Sequence, residues 1–204
     1  MPRVLTSTDL ADFREKLISA ATGIFAEKGR EGFTMREVAA AVGVSAMTPY
    51  RYFQDKEEIL AAVRAAVFDR FSDELERAFA GQSDPAGRGS AVGNAYVRFA
   101  FSEPASYKLM FDMTQPEETT YPELAKATTR ARHTMTAYVR GLVDAGLLEG
   151  DPILIGHVFW ASLHGAVVLQ LAGKLDAECD FETIIHESFR ALSAGFAPAH
   201  SRGS

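Results

Sequence analysis

Between Ser45 and Lys56 the chain places Ser45, Thr48, Tyr50, Arg51, Tyr52 and Lys56 in one short stretch. Hydroxyls and cations at that density suit phosphate oxygens, whose protein partners are mainly Arg, Lys, Ser, Thr and Tyr side chains. The chemistry on offer is binding. No Gly-x-Ser-x-Gly elbow, phosphate-cradling glycine loop, or nucleophile beside a base stands at recognisable spacing, so an enzyme is the least supported reading. His157 and His164 stand seven apart and nearly eclipse on a helix, yet no Cys, Asp or Glu joins them at ligand spacing. His186-Glu187 lacks the second histidine of a zinc-protease signature. Neither a metal nor a cofactor is expected.

The elements that must carry the binding stretch are helices. Apolar residues recur at spacings of three and four from end to end, and nowhere do polar and apolar residues alternate long enough for a strand. An all-α fold of about nine helices follows. Phe13, Leu17, Ala21, Ile24 and Phe25 make the apolar stripe of the first helix, and Gly29 stands where a helix ends in the left-handed conformation. Thr34 with Glu37 forms a capping box for a short second helix to Val42. Gly43 and Val44 then break the chain, and Ser45 caps a third helix to about Phe53. Asp55 with Glu58 caps a long fourth helix whose apolar face is Ile59, Val63, Val67, Phe71 and Leu75.

Gly81 to Gly89 reads as a loop. Further helices are expected near 90–102, 104–111, 122–145, 152–172 and 181–194, three of them opening on proline, which suits a first turn. A second loop is expected from Asp112 to Tyr121. The tail 198–204 should be mobile. Functionally, the reading is a head at 1–56, with the fourth helix from about residue 56 as connector, and a body at 57–197.

Charge separates these parts. The net charge is −6, but through Lys56 eight Lys or Arg face seven Asp or Glu, which leaves the rest of the chain at −7. Contact with nucleic acid therefore belongs to the head, because the acidic body is repelled by phosphates. A single cysteine, Cys179, excludes an intrachain disulfide and suits a reducing cytosol. Met1 to Leu10 lacks the basic and apolar run of an export signal. Ile153 to Ala172 carries no charge and is long enough to span a bilayer. His157, Ser162, His164, Gln170 and two glycines interrupt it, so a helix buried on most of its faces by protein is the better reading. The chain is expected to be cytoplasmic.

Thr34 to Phe53, two short helices about a glycine break, has the size of a helix-turn-helix, in which one helix braces while the next enters the major groove. From Gly32 to Leu60 the order Gly-Phe-Thr, Val-Gly-Val-Ser, Tyr-Arg-Tyr-Phe and Asp-Lys-Glu-Glu-Ile-Leu resembles the head of the tetracycline-repressor (TetR) family. That resemblance implies phosphate contacts from Tyr50, Tyr52 and Lys56, contacts from Thr34 and Arg36 at the bracing helix, and base edges facing Met47, Thr48 and Arg51. The sequence departs from many members at Met47 and Tyr52. Pro49 adds a proline in the first turn of the third helix, which disfavours helical backbone at Thr48.

Phe159-Trp160-Ala161-Ser162-Leu163-His164-Gly165, then Leu169 and Gly173, resembles a TetR subgroup named for its Trp-His-Gly pattern. The resemblance implies a homodimer through the last two long helices, a ligand cavity enclosed by the helices before them, and double-stranded operator DNA as partner. Trp160 and His164 share a helix face. Phe99, Tyr107, Met110, Phe111, Met135 and Tyr138 can add aromatic and thioether walls, so the small-molecule effector is expected to be apolar or aromatic. Two other readings stay open: a DNA-binding regulator without a small-molecule ligand, controlled by abundance or a partner protein, and a small-molecule binding or catalytic protein whose motif no longer touches DNA.

Overall fold

The computed structural model describes residues 7–111 and 118–198. Among them lie eight α-helices, two 3₁₀ turns and no strand. The helices are α1 (Ser7–Gly32), α2 (Met35–Ala41), α3 (Lys56–Ala80), α4 (Pro85–Ser102), α5 (Pro104–Met110), α6 (Pro122–Asp144), α7 (Pro152–Leu171) and α8 (Phe181–Gly195). The all-helical expectation holds, but the count is one short of nine. The expected third helix, from Ser45 to Phe53, is instead an irregularly wound segment containing a 3₁₀ turn at Pro49–Arg51.

Pro49 supplies the reason. It has no N–H to give the Ser45 carbonyl four residues back, so the α-ladder cannot start there. The Ser45 carbonyl instead accepts from Thr48 N at 2.9 Å, Arg51 N donates to Thr48 O at 3.1 Å, and Tyr52 N and Phe53 N both donate to Pro49 O at 3.0 Å. The expectation of an extended Thr48 is also corrected: its φ of −63° and ψ of −43° are helical. Two bonds override the preference, one from its N–H to Ser45 and one between the Ser45 and Thr48 hydroxyls at 3.0 Å. Ser45 therefore pairs with a side chain rather than capping an α-helix.

The chain divides into two compact units, the described parts of Met1–Asp69 with Ala105–Thr128, and of Arg70–Pro104 with Thr129–Ser204. In the first, α1 buries Leu17, Ile18, Ala21 and Phe25, α2 buries Met35, Val38 and Ala39, and α3 buries Ile59, Leu60 and Val63. Gly29 interrupts α1 at φ 66°, the break read from the sequence. Thr34 caps α2 by accepting from Glu37 N at 3.2 Å. The return half of the capping box differs: the Glu37 carboxylate takes the Thr34 hydroxyl at 2.9 Å and Lys28 Nζ at 2.6 Å. After α2 the chain turns at Gly43, φ 72°. Gly43 N donates to Ala40 O and Val44 N to Ala39 O, the paired closure that needs a left-handed residue and so favours glycine.

In the second unit Phe71 sits edge-on to Tyr96 and Phe99, with ring centroids 5.4 and 5.2 Å away. Around them are buried Leu75, Val92, Val139, Ile155, Phe159 and Val167. Arg130 of α6 bonds Glu76 of α3 at 2.6 and 3.0 Å. A Cβ at Gly156 would lie 2.7 Å from the Thr136 Cβ, so only glycine lets α6 and α7 approach this closely. The loop expected at Gly81 to Gly89 is shorter, because α4 already begins at Pro85 with Asp84 accepting from Gly87 N at 2.7 Å. Its Asp-Pro start repeats the signal read at the other proline-led helices, and three glycines masked it.

Helix α7 carries no charged residue and is long and apolar enough to cross a membrane by composition, yet a third of that span is buried within the chain. Within the single chain, the burial expected on most of its faces is not reached. Ile153, Leu154, Val168 and Leu169 stand 59, 58, 44 and 44% exposed, with exposed Ala161 and Gly165 between them. Of the expected loop at Asp112 to Tyr121, residues 112–117 lie outside the described residues, and Glu118–Thr120 is a 3₁₀ turn. The expected mobile tail, apart from Pro198, also lies outside them.

Candidate functional site

The wound segment after Gly43 is anchored by two residues: Pro49 and Phe53 are buried, and the Arg14 guanidinium lies 5.0 Å over the Phe53 ring. Anchoring these turns the alternate positions outward. Met47 is 69% and Tyr50 46% exposed, and Ser45 and Arg51 are exposed as well. Thr48 and Tyr52 are half-buried, with the Tyr52 ring 5.1 Å from Phe13. Thr34 and Arg36, at the start of α2, are exposed.

Lys56 is placed differently from a free surface cation. Its Nζ donates to Arg30 O at 2.8 Å and sits 5.8 Å from the Phe33 ring centre. The ammonium has three donors, so two are left to meet an anion. Next to it Arg30 bonds both oxygens of Glu57 at 2.9 Å, which fixes the start of α3 against the end of α1. Thus all nine head residues singled out from the sequence belong to one compact unit, with buried Pro49 and Phe53 anchoring the segment that carries Met47 to Tyr52.

The eight residues expected to line an effector cavity divide between the units. Tyr107, Met110 and Phe111 belong to the first, where Phe111 packs edge-on to Phe68 and Tyr107, with ring centroids 6.2 and 5.1 Å away. Phe99, Met135, Tyr138, Trp160 and His164 belong to the second. Phe99 is fully buried in the Phe71 cluster. Met135, Tyr138 and Trp160 line a cavity of ≈ 20 Å³ with Tyr96, Phe159 and Leu163, room for about one water. A groove of ≈ 650 Å³ shares Gly93, Tyr138, Phe159, Leu163 and Phe189 with that cavity.

Sequence reading missed Tyr96, the polar centre of this region. Its hydroxyl lies 3.0 Å from His164 Nδ1 and accepts the Trp160 indole N–H at 3.3 Å. Burial lowers the His164 pKa from its ordinary 6.5. The ring is thus neutral at pH 7, and its Nδ1 and the Tyr96 hydroxyl share one hydrogen bond. The signal existed: Val92, Tyr96 and Phe99 keep helical spacing on the buried face of α4.

A depressed histidine sets a direction with pH. The unfolded chain takes up a proton below about 6.5 while folded His164 resists it, so stability should fall as pH drops from 6.5 toward the folded value. Thermal melts of the wild type and His164→Gln at pH 7.5 and 5.5 check this. The wild type should lose more melting temperature between the two, whereas parallel losses would remove His164 as the titrating group.

Residues 90–195 match the family model described as tetracyclin repressor-like, C-terminal domain, and residues 17–63 match that of bacterial regulatory proteins, tetR family. The chain is 26% identical over 194 residues to an uncharacterized HTH-type transcriptional regulator of Mycobacterium tuberculosis, covering 93% of this chain and 84% of that one. It is 27% identical over 153 residues to the HTH-type transcriptional regulator BetI of Rhizobium meliloti, covering 72 and 75% of the two chains. A solved structure of a protein with unknown function from Rhodococcus sp. RHA1 superposes with a TM-score of 0.78 at 27% identity, covering 91% of this chain and 95% of that one. With an outward-facing helix-turn-helix segment and a family match that spans more than half its length, the chain belongs to the TetR family of helix-turn-helix transcriptional regulators, which are not enzymes.

Proposed function

We propose that this regulator is a cytoplasmic repressor of the Trp-His-Gly subgroup that binds a near-palindromic operator as a homodimer and leaves it when a small apolar or aromatic molecule enters its body. Residues 1–56 act as the DNA-binding head and 57–197 as the effector and dimerisation domain. The observation that carries the reading is the wound segment, where buried Pro49 and Phe53 turn Met47, Tyr50 and Arg51 to the outside. Two copies related by a two-fold axis present this segment to half-sites about 34–36 Å apart. The apolar stripe of α7, joined by α8, is the seam between the copies.

The roles within the head differ in kind. Tyr50, Tyr52, Lys56, Thr34 and Arg36 hold phosphates and set register, while Met47, Thr48 and Arg51 face base edges, and Ser45 adds a hydroxyl at the rim. Arginine pairs bidentately with guanine, and each good contact of that type discriminates by about 1–3 kcal/mol. Selection of bound sequences from a random duplex pool should return a near-palindrome. On that operator, Lys56→Ala should weaken binding at every sequence and lower the salt slope by about one. Arg51→Ala should instead relax preference at one base pair in each half-site. Because Lys56 also holds the Arg30 carbonyl, a melting curve must accompany its variant. Identical behaviour of the two folded variants would overturn the division of roles.

Release follows from linkage. A molecule that favours one arrangement of the dimer weakens operator binding by the factor by which operator weakens its own binding, commonly about 5- to 150-fold.

A further inference from the structure

Helices α4 and α8 both pack on α7, and between them, closed at one end by the turn after α6, lies the groove of ≈ 650 Å³. Its walls are mostly apolar: Val97, Leu142, Leu148, Phe159, Leu163 and Phe189 are among them. That size is typical of sites for drug-sized molecules. At its inner end it shares residues with the small cavity beside Trp160 and Tyr96.

The second observation is Tyr138. Its side chain is 9% exposed and lines both spaces. No described residue hydrogen-bonds its hydroxyl, and the oxygen is not sealed inside the protein. A buried phenol normally finds a partner. Here the space that the residue borders is the groove and the small cavity that adjoins it.

Charge at the mouth narrows the ligand class. Arg190 and His186 line the outer end, but both are engaged by Glu187: Arg190 Nε donates to its carboxylate at 2.9 Å and His186 Nδ1 lies 3.2 Å from it. Glu187 offsets the Arg190 charge within the same helix, so this end of the groove carries no net positive charge to favour an acid.

Resting on the effector reading above, we propose that the groove between α4 and α8 binds an uncharged, mainly apolar molecule bearing one carbonyl group, and that Tyr138 donates its hydroxyl hydrogen to that oxygen. Burial pushes the phenol up to about 12, so it remains a donor throughout the physiological range. Gly93 marks the floor of the site. A Cβ there meets nothing within 4 Å, and a larger side chain would project into both spaces without disturbing its own helix.

The test measures binding of benzophenone to the full chain by calorimetry or equilibrium dialysis, with diphenylmethane, which lacks the carbonyl, and 4-benzoylbenzoate, which adds a carboxylate. Benzophenone should bind saturably and more tightly than either. Tyr138→Phe should weaken benzophenone about 3- to 10-fold, the range of one neutral hydrogen bond, and leave diphenylmethane unchanged. Gly93→Leu should abolish binding of both and keep the wild-type melting temperature and oligomeric state. Absence of saturable binding to the wild type, indifference to both substitutions, or tighter binding of the carboxylate would overturn the proposal. So would a Gly93→Leu chain that changes its oligomeric state, because the groove would then be covered by a second copy. Operator binding is measured on the same samples without probe. If it is absent while benzophenone behaves as expected, the DNA reading fails and the groove assignment stands.

Discussion

Ala161→Glu on α7 is expected to convert the protein to a folded monomer and to lower operator affinity by about 100-fold or more. Position 161 is exposed in the single chain, on a helix without a charged residue. Glutamate suits a helix and loses no partner there, so the monomer should fold. In a two-fold dimer that meets through the α7 stripe, the same position from both copies approaches one seam. Two carboxylates would enter an apolar contact with no cation on either helix. An unpaired buried charge costs about 3–5 kcal/mol, which at 1.4 kcal/mol per decade is at least a hundredfold. Light scattering after gel filtration reads the mass, and fluorescence anisotropy on the selected operator reads the affinity. Ala161→Ser serves as the control and should remain dimeric. A dimer that survives the glutamate would place the seam elsewhere.

Arg64→Ala is expected to cost about 2–4 kcal/mol of folding stability, the largest single loss among the polar groups of the first unit. Arg64 is 6% exposed on α3. Its Nε and a terminal nitrogen donate to Met110 O at 3.2 and 2.8 Å, and the terminal nitrogen also reaches Glu118 at 3.1 Å. Met110 ends α5, where unpaired carbonyls make the helix terminus negative, so a cation is well placed there. Truncation leaves that carbonyl without this donor, in a spot water cannot readily fill. The Glu118 side chain is 34% exposed and can be resolvated, so its share of the loss is small. Glu118→Gln should therefore cost less than about 1 kcal/mol. Urea unfolding of both variants separates the contributions. Equal losses would show that the ion pair, rather than the carbonyl clamp, carries the effect.

How much of this was legible beforehand depended on what each residue's role required. Capping and period are local, and they read well. Thr34, Asp55, Pro104, Pro122 and Pro152 mark real helix starts, and Gly29 and Gly43 mark real breaks. Asp84-Pro85 carried the same signal, but neighbouring glycines made the stretch look like a loop. The segment after Ser45 failed for a different reason: whether Pro49 starts a helix or tightens a turn depends on which backbone donors can reach the Ser45 carbonyl, and that is settled by the Thr48 hydroxyl and by burial of Phe53.

Side chains meeting across elements were less visible. Trp160 and His164 share one face of one helix, so their association was readable, whereas the tyrosine that joins them comes from α4, 64 and 68 residues away. Grouping Tyr107, Met110 and Phe111 with Trp160 rested on residue type alone, and type does not say which compact unit a side chain belongs to. The uncharged α7 was expected to be buried on most of its faces by protein. Only a third of its span is covered by its own chain, because hydropathy registers removal from water without distinguishing cover by the same chain from cover by another.

The sole indole of the chain donates to a phenol that also holds an imidazole. Its emission should therefore serve as a built-in optical gauge of that junction, with no label attached. Protonating the imidazole, shifting the phenol, or occupying the adjoining space should each alter its colour or brightness.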